Sequence, residues 1–133
     1  MSTVFEMIIN GQIPCKKLYE DDIALVILDI NPVRKGHALV ISKAVYPTID
    51  ECPIEVLNHM FSIVKKVNLK LEEKLKCDGT NILINNGKAS GQEVPHLHIH
   101  VIPRYNDDGQ TFGFTKETYS GDEMEMYRDL LAL

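Results

Sequence analysis

The chain has 133 residues, the length of one domain, and 44% apolar with 25% charged residues is the balance of a soluble globular protein rather than a disordered or membrane one. Fourteen Lys and Arg against nineteen Asp and Glu leave a net charge of −5, which argues against tracking a nucleic-acid polymer, because that affinity comes from clustered cations displacing counterions. No stretch is long enough to span a bilayer, and the start lacks the basic patch and apolar core of a secretory signal, so a cytoplasmic location and no membrane partner are expected. Cys15, Cys52 and Cys77 are widely spaced, without a Cys-x-x-Cys pair, and read as free thiols. A single nucleotide remains a feasible ligand, since a few N–H groups and neutral imidazoles can hold one phosphate.

Val4 to Asn10 carries apolar residues at helical spacing and stops at Gly11, which predicts a short helix. Lys16 to Tyr19 and Ile23 to Leu28 read as strands joined by the acidic turn Glu20-Asp21-Asp22, and Asn31-Pro32 breaks the second. A third strand covers His37 to Ile41. Leu57, Met60, Phe61, Val64, Val67, Leu71 and Leu75 then fall three or four residues apart, which predicts one amphipathic helix from near Asp50–Pro53 to Lys76. Ile82 to Ile84 reads as a fourth strand leading into a glycine-containing loop, and His96 to Ile102 as a fifth, cut off by Pro103. A last helix spans Asp122 to Leu131. This order, over a single domain 1–133, predicts an α+β fold with a largely antiparallel five-stranded sheet and one long and one or two short helices.

The segment His96-Leu97-His98-Ile99-His100 carries the chemistry. On a strand, alternate side chains share a face, so three imidazoles project together while Leu97, Ile99 and Val101 pack on the other side. A straight strand sets the Cα atoms of His96 and His100 about 13 Å apart, too far for all three rings to share one ion, so no metal ligands and no cofactor are assigned. A neutral ring can attack phosphorus while a neighbour handles a proton or binds the anion. Gly87 and Gly91 could present backbone N–H groups to phosphate oxygens. His59, alone within the long helix, reads as structural or surface.

These residues resemble the histidine-triad (HIT) family, whose signature His-φ-His-φ-His-φ-φ is matched by His96 to Ile102. Gly91-Gln92-Glu93-Val94-Pro95, Pro103-Arg104-Tyr105, Asp29-Ile30-Asn31-Pro32 and Gly36 to Ile41 recur in the family's order and spacing. The resemblance implies a homodimer in which two five-stranded sheets join into one of ten strands, with Pro53–Lys76 and Asn81–Asn85 near the two-fold axis. It implies a nucleotide hydrolase or transferase cleaving nucleoside phosphoramidates or dinucleoside polyphosphates through a nucleotidyl-histidine on His98. His96 and His37 would orient and polarise His98, and His100 would contact the phosphate and assist the leaving group. Asn85 matches a phosphate-side asparagine and Asp29 an acidic residue that binds the ribose diol. Phe5, Ile8 and Ile30, with Val4, would seat a purine base, and Gln92 and Glu93 are assigned to substrate binding. Glu93 stands where the Hint branch has a serine near the leaving group. Where many bacterial members place Cys-x-x-Cys and a zinc-binding histidine, this chain has Val4-Phe5-Glu6-Met7 and Lys43-Ala44-Val45, so structural zinc is not expected. The expected partners are a purine nucleoside monophosphate or its conjugates and a second copy of the chain. The alternatives are a purine-nucleotide-binding regulatory protein with incidental catalysis, and a metalloprotein using two of the triad histidines.

Overall fold

The structure, a computed structural model, describes residues 2–111 and 113–133. Its elements in chain order are α1 (Val4–Ile9), β1 (Lys17–Glu20), β2 (Ala24–Leu28), β3 (Ala38–Ser42), α2 (Ile54–Leu75), β4 (Gly79–Leu83), β5 (His98–Arg104) and α3 (Glu123–Leu131). The five strands form one antiparallel sheet in the order β1-β2-β3-β5-β4, as the α+β expectation requires. Short 3-10 turns at Ile49–Glu51 and Lys88–Ser90 complete the chain's regular structure among the described residues.

The sheet separates two apolar layers. Ala24, Val26, Ala38, Val40, Ile99 and Val101 point to one face and pack on Met60, Ile63, Val64 and Leu71 of α2. Leu25, Ile27, Leu39 and Ile41 point to the other and pack on Phe5 of α1. Because β2 and β3 are covered on both faces, they read as continuous apolar runs rather than alternating ones. The register pairs Ile41 with His98 and Leu39 with His100. Both histidines therefore stand on the α1 face, while Ile99 and Val101 anchor the same strand in the core beneath α2.

The last two strands differ from the expected bounds by more than one residue. The fifth strand begins at His98, not His96, and continues through Pro103 to Arg104. Its pairing with β3 ends at Val101, so Pro103 has a neighbour on one side only, opposite Thr80, and its missing N–H leaves no gap between two strands. The fourth strand starts at Gly79 rather than Ile82: α2 ends as expected, capped by Lys76 in the left-handed conformation with φ 55°, and the chain pairs with β5 from Gly79, opposite Arg104, so Gly79 and the polar pair Thr80-Asn81 belong to the strand although they carry no apolar signal.

Gly36 lies just before β3, with φ +101°. A Cβ there would approach Leu75 Cδ1 at 2.6 Å and Pro103 Cγ at 3.5 Å. Glycine thus lets the chain pass under the end of α2 and deliver His37 to the start of β3. His59 is tied to the β1–β2 turn, its Nε2 lying 2.7 Å from Asp21 Oδ2. Every residue of α3 is exposed, and none of the helices among the described residues is long and apolar enough to cross a membrane.

Candidate active site

An open groove of about 1100 Å³ runs along the α1 face of the sheet, with His98 and His100 in its wall. Its remaining wall comes from α1, from the segment before β1, from the β2–β3 turn, and from Asn85, Gly91, Glu93 and Val94 ahead of β5.

The histidines are held by a set of hydrogen bonds that fixes each ring's proton. His98 Nδ1 lies 2.6 Å from the carbonyl oxygen of His96. A carbonyl can only accept, so Nδ1 carries the proton and Nε2 keeps its lone pair, without a hydrogen-bond partner among the described residues. His96 Nε2 donates to the Ser42 carbonyl at 2.6 Å, and its Nδ1 accepts from the Thr3 hydroxyl at 2.8 Å. His37 Nδ1 accepts from the Val33 N–H at 3.1 Å, which leaves His37 Nε2 to donate to His100 Nδ1 at 2.9 Å. His100 accordingly bears its own proton on Nε2.

This arrangement corrects the expectation that all three rings project together from one face of a strand. His96 precedes β5, and its ring is directed to Ser42 and Thr3, so it meets the His98 ring's proton through its backbone carbonyl. His37 touches His100 rather than His98, its hydrogen bond running to the outer ring of the run. The ring centroids of His98 and His100 are 4.9 Å apart.

All four rings are driven toward the neutral form. Burial is the largest effect on each and lowers their pKa values below the ordinary histidine value, that of His100 to about 4. For His98 the carbonyl of His96 and the carboxylates of Asp29 and Glu93 act the other way and favour a positive ring, without overcoming burial.

Thr3 went unassigned in the sequence reading. Its hydroxyl accepts from the Glu6 N–H, Glu6 returns a bond to the Thr3 N–H, and the same hydroxyl donates to His96. The spacing Thr3-x-x-Glu6 before an apolar run is the capping-box signal that could have pointed to it. Ile13, Pro14, Cys15 and Lys16 also line the groove and were not anticipated, because a short loop before an edge strand carries no periodicity.

Of the proposed binding residues, Asp29, Asn85, Glu93, Ile8 and Ile30 lie on the groove wall, Ile30 at 91% exposure on its lip. Phe5 lines it too, but is buried and packs edge-on against His98 and His96, with centroids 4.8 and 5.6 Å away. Gln92 is not part of the wall. Its side chain bridges Gly87 N–H and the Pro47 carbonyl and pins the loop from behind. The expectation that Gly87 and Gly91 present N–H groups to phosphate fails for the same reason: Gly87 N–H donates to Gln92 and Gly91 N–H to the Lys88 carbonyl. Side-chain donors, the Asn85 amide and His100 Nε2–H, remain for that purpose.

Asp29, His37 and His100 bring one possible ligand atom each within 4.8 Å of one another. His37 Nε2 and His100 Nδ1 already share a proton, so an ion that used both of these nitrogens would have to break that bond to enter.

A small α+β protein with a buried, tautomerically fixed histidine set along one wall of a groove is the class that fold and site define. The chain belongs to the HIT family: residues 10–107 match the HIT domain. It is 48% identical over 105 residues to Adenylylsulfatase HINT3 of Arabidopsis thaliana, covering 79% of this chain but only 53% of that protein. With Adenosine 5'-monophosphoramidase hnt1 of Schizosaccharomyces pombe it shares 37% identity over 126 residues, 94% of this chain and 92% of the relative. The crystal structure of a HIT family member from Bacillus subtilis superposes with a TM-score of 0.88 at 36% identity, over 99% of this chain and 96% of the other.

Two outcomes follow from the buried network. Thr3→Ala removes a helix cap and leaves a buried imidazole nitrogen unpaired, lowering unfolding free energy by about 2 kcal/mol in urea titration, while Thr3→Ser restores most of it. The histidines' depressed pKa values make folding favour the neutral rings. That contribution is complete above the unfolded value of about 6.5 and is lost as pH falls toward the folded values. Melting temperature should therefore drop between pH 7 and pH 5, above the range where the carboxylates begin to protonate, and a flat profile there would contradict neutral burial.

Proposed function

We propose that this protein is a nucleotide hydrolase or transferase that cleaves nucleoside phosphoramidates or dinucleoside polyphosphates through a nucleotidyl-histidine on His98. One observation carries the reading: the His96 carbonyl holds the proton of His98 on Nδ1, so the Nε2 lone pair is available on a ring that lines the groove. Relatives named as an adenylylsulfatase and an adenosine 5'-monophosphoramidase support a reaction at a nucleoside monophosphate phosphorus.

In this mechanism Nε2 attacks phosphorus, the bond to the leaving group breaks with its electron pair, and His98 becomes a substituted imidazolium. Its Nδ1–H still donates to His96, and the carboxylates of Asp29 and Glu93 offset the new positive charge. His100 Nε2–H and the Asn85 amide donate to phosphoryl oxygens. Being neutral, His100 acts as a hydrogen-bond donor rather than a strong acid. Water then attacks phosphorus and gives up one proton to the solvent, the pair of the phosphorus–nitrogen bond returns to Nε2, and the nucleoside monophosphate is released. His37 serves by holding His100 in the tautomer that presents Nε2–H.

Asp29 is suited to the ribose diol. One of its oxygens accepts the Asn31 N–H and the other lies 3.7 Å from His37 Nε2, so a 2′,3′-diol bound there would sit near the triad. Val4, Ile8 and Ile30 offer an apolar slot for a purine, and Phe5 supports His98 from beneath. The free thiols Cys15, Cys52 and Cys77 suit a reducing compartment such as the cytoplasm. Exposed Phe61 and Leu69 of α2 and Ile82 of the edge strand β4 form the surface on which we place a second copy of the chain.

His98→Ala should lose turnover of adenosine 5'-phosphoramidate by at least about a thousandfold, while adenosine monophosphate affinity changes by less than about tenfold, because the nucleophile makes a bond rather than recognising the nucleotide. Acid-quenched wild type should carry one nucleotidyl group by intact mass, absent from the variant. Near-normal turnover by His98→Ala refutes the covalent route, and binding without turnover in both proteins favours a regulatory nucleotide binder. Sedimentation should give twice the monomer mass, and Ile82→Lys should shift it to monomer. A wild type that sediments as monomer removes the assembly assignment.

A further inference from the structure

The groove's ionised side chains are unevenly placed. Besides His98 and His100, whose rings burial drives toward the neutral form, its described wall holds two carboxylates, Asp29 and Glu93, and one ammonium, Lys16. Lys16 directly precedes β1, and its carbonyl accepts the Leu28 N–H at the far side of β2 from β3. In the order β1-β2-β3-β5 that backbone lies three strand spacings from His98, about 14 Å, beyond a Debye length at physiological salt. Both lining carboxylates thus act on the His98 ring, while the one cation of the described wall is carried on backbone at the far edge of the sheet.

The backbone that carries Glu93 is anchored on both sides, while its carboxylate stays unpaired among the described residues. The residue before it, Gln92, is anchored to Gly87 and Pro47, and the residue after it, Val94, packs on the core layer beneath α1. The His96 N–H also bonds back to the Val94 carbonyl at 2.8 Å. Between these anchors the Glu93 carboxylate is exposed on the groove wall, with no hydrogen bond or ion pair among the described residues. It is close enough to His98 to favour the ring's positive form.

We propose that Glu93 is a charge filter on the leaving group: it favours substrates whose leaving group departs as a neutral or positively charged amine over those whose leaving group departs as a phosphate or sulfate anion. The inference rests on the covalent mechanism proposed above and assigns its substrate class. When Nε2 of His98 bonds to phosphorus and the phosphorus–nitrogen bond breaks, the amine keeps the pair and takes one proton delivered from bulk solvent, whose conjugate base stays outside the groove. Its side of the groove gains no negative charge. When a phosphorus–oxygen bond to sulfate or polyphosphate breaks, the pair adds negative charge to the departing oxygen. That charge grows in the transition state, where an unneutralised carboxylate on the same wall opposes it most effectively.

Glu93→Gln keeps the side chain's shape and removes the charge. The experiment compares kcat/KM of wild type and Glu93→Gln for two adenylyl donors that differ only in the leaving group, the ethylenediamine monoamide of adenosine monophosphate and adenosine 5'-phosphosulfate. The variant should shift the ratio toward the phosphosulfate by about three- to tenfold at low salt, the range for a screened, partly exposed charge. The shift should shrink at about 0.5 M salt, which a purely structural role would not produce. An unchanged ratio, or an equal fall for both donors at every ionic strength, overturns the filter. If wild type binds adenosine monophosphate but turns over neither donor, the covalent mechanism itself has failed, and the filter falls with it.

Discussion

The whole site depends on one short hydrogen bond, from Nδ1–H of His98 to the carbonyl of His96, two residues back along the same chain. An imidazole has two nitrogens of similar basicity, and in water it exchanges tautomers freely. A buried carbonyl with no other donor ends that freedom, because the alternative tautomer would set two lone pairs against each other. The bond also requires His96 to leave the strand geometry, which explains why β5 begins only at His98. His96 in turn is clamped by Ser42 and Thr3, so the carbonyl that directs the nucleophile is held by contacts from the end of the neighbouring strand β3 and from the cap of the first helix.

Burial and electrostatics work against each other in this groove, and the balance suits the chemistry. Desolvation keeps the rings neutral, which a nucleophile requires, while Asp29 and Glu93 favour the positive ring that attack would create. The second relay, Val33 to His37 to His100, is directed the opposite way: it leaves His100 with an outward N–H and no free lone pair on its inner side. Two neighbouring rings of one strand thus present unlike atoms, one acceptor and one donor. Their backbone hydrogen bonds, rather than their sequence positions, make them different.

Much of the scaffold was legible in the sequence. The apolar spacing of α2 and the alternation of His98, Ile99, His100 and Val101 each have a single periodic reading, and the sheet takes both. The register that sets His98 beside Ile41 is consistent with those patterns, since a slip by one residue would bury the histidines under α2. Local rules misled at Pro103, where the neighbouring strand happens to end, and at the glycines of the loop, whose N–H groups are engaged by Gln92 and Lys88. Thr3 and the Ser42 carbonyl reach His96 across 93 and 54 residues of chain, and no spacing rule carries that distance. The site's residue types were visible, whereas its proton positions became visible only in three dimensions.

The central claim concerns where a proton sits, and long-range proton–nitrogen correlation NMR of the histidine rings at neutral pH reads that directly. The account predicts that at neutral pH His98 is neutral with its proton on Nδ1 and His100 carries its proton on Nε2, and that the His100 pattern persists below pH 6. A His98 ring protonated on Nε2, or one exchanging between the two forms at neutral pH, would leave no fixed lone pair to attack phosphorus and would contradict the account.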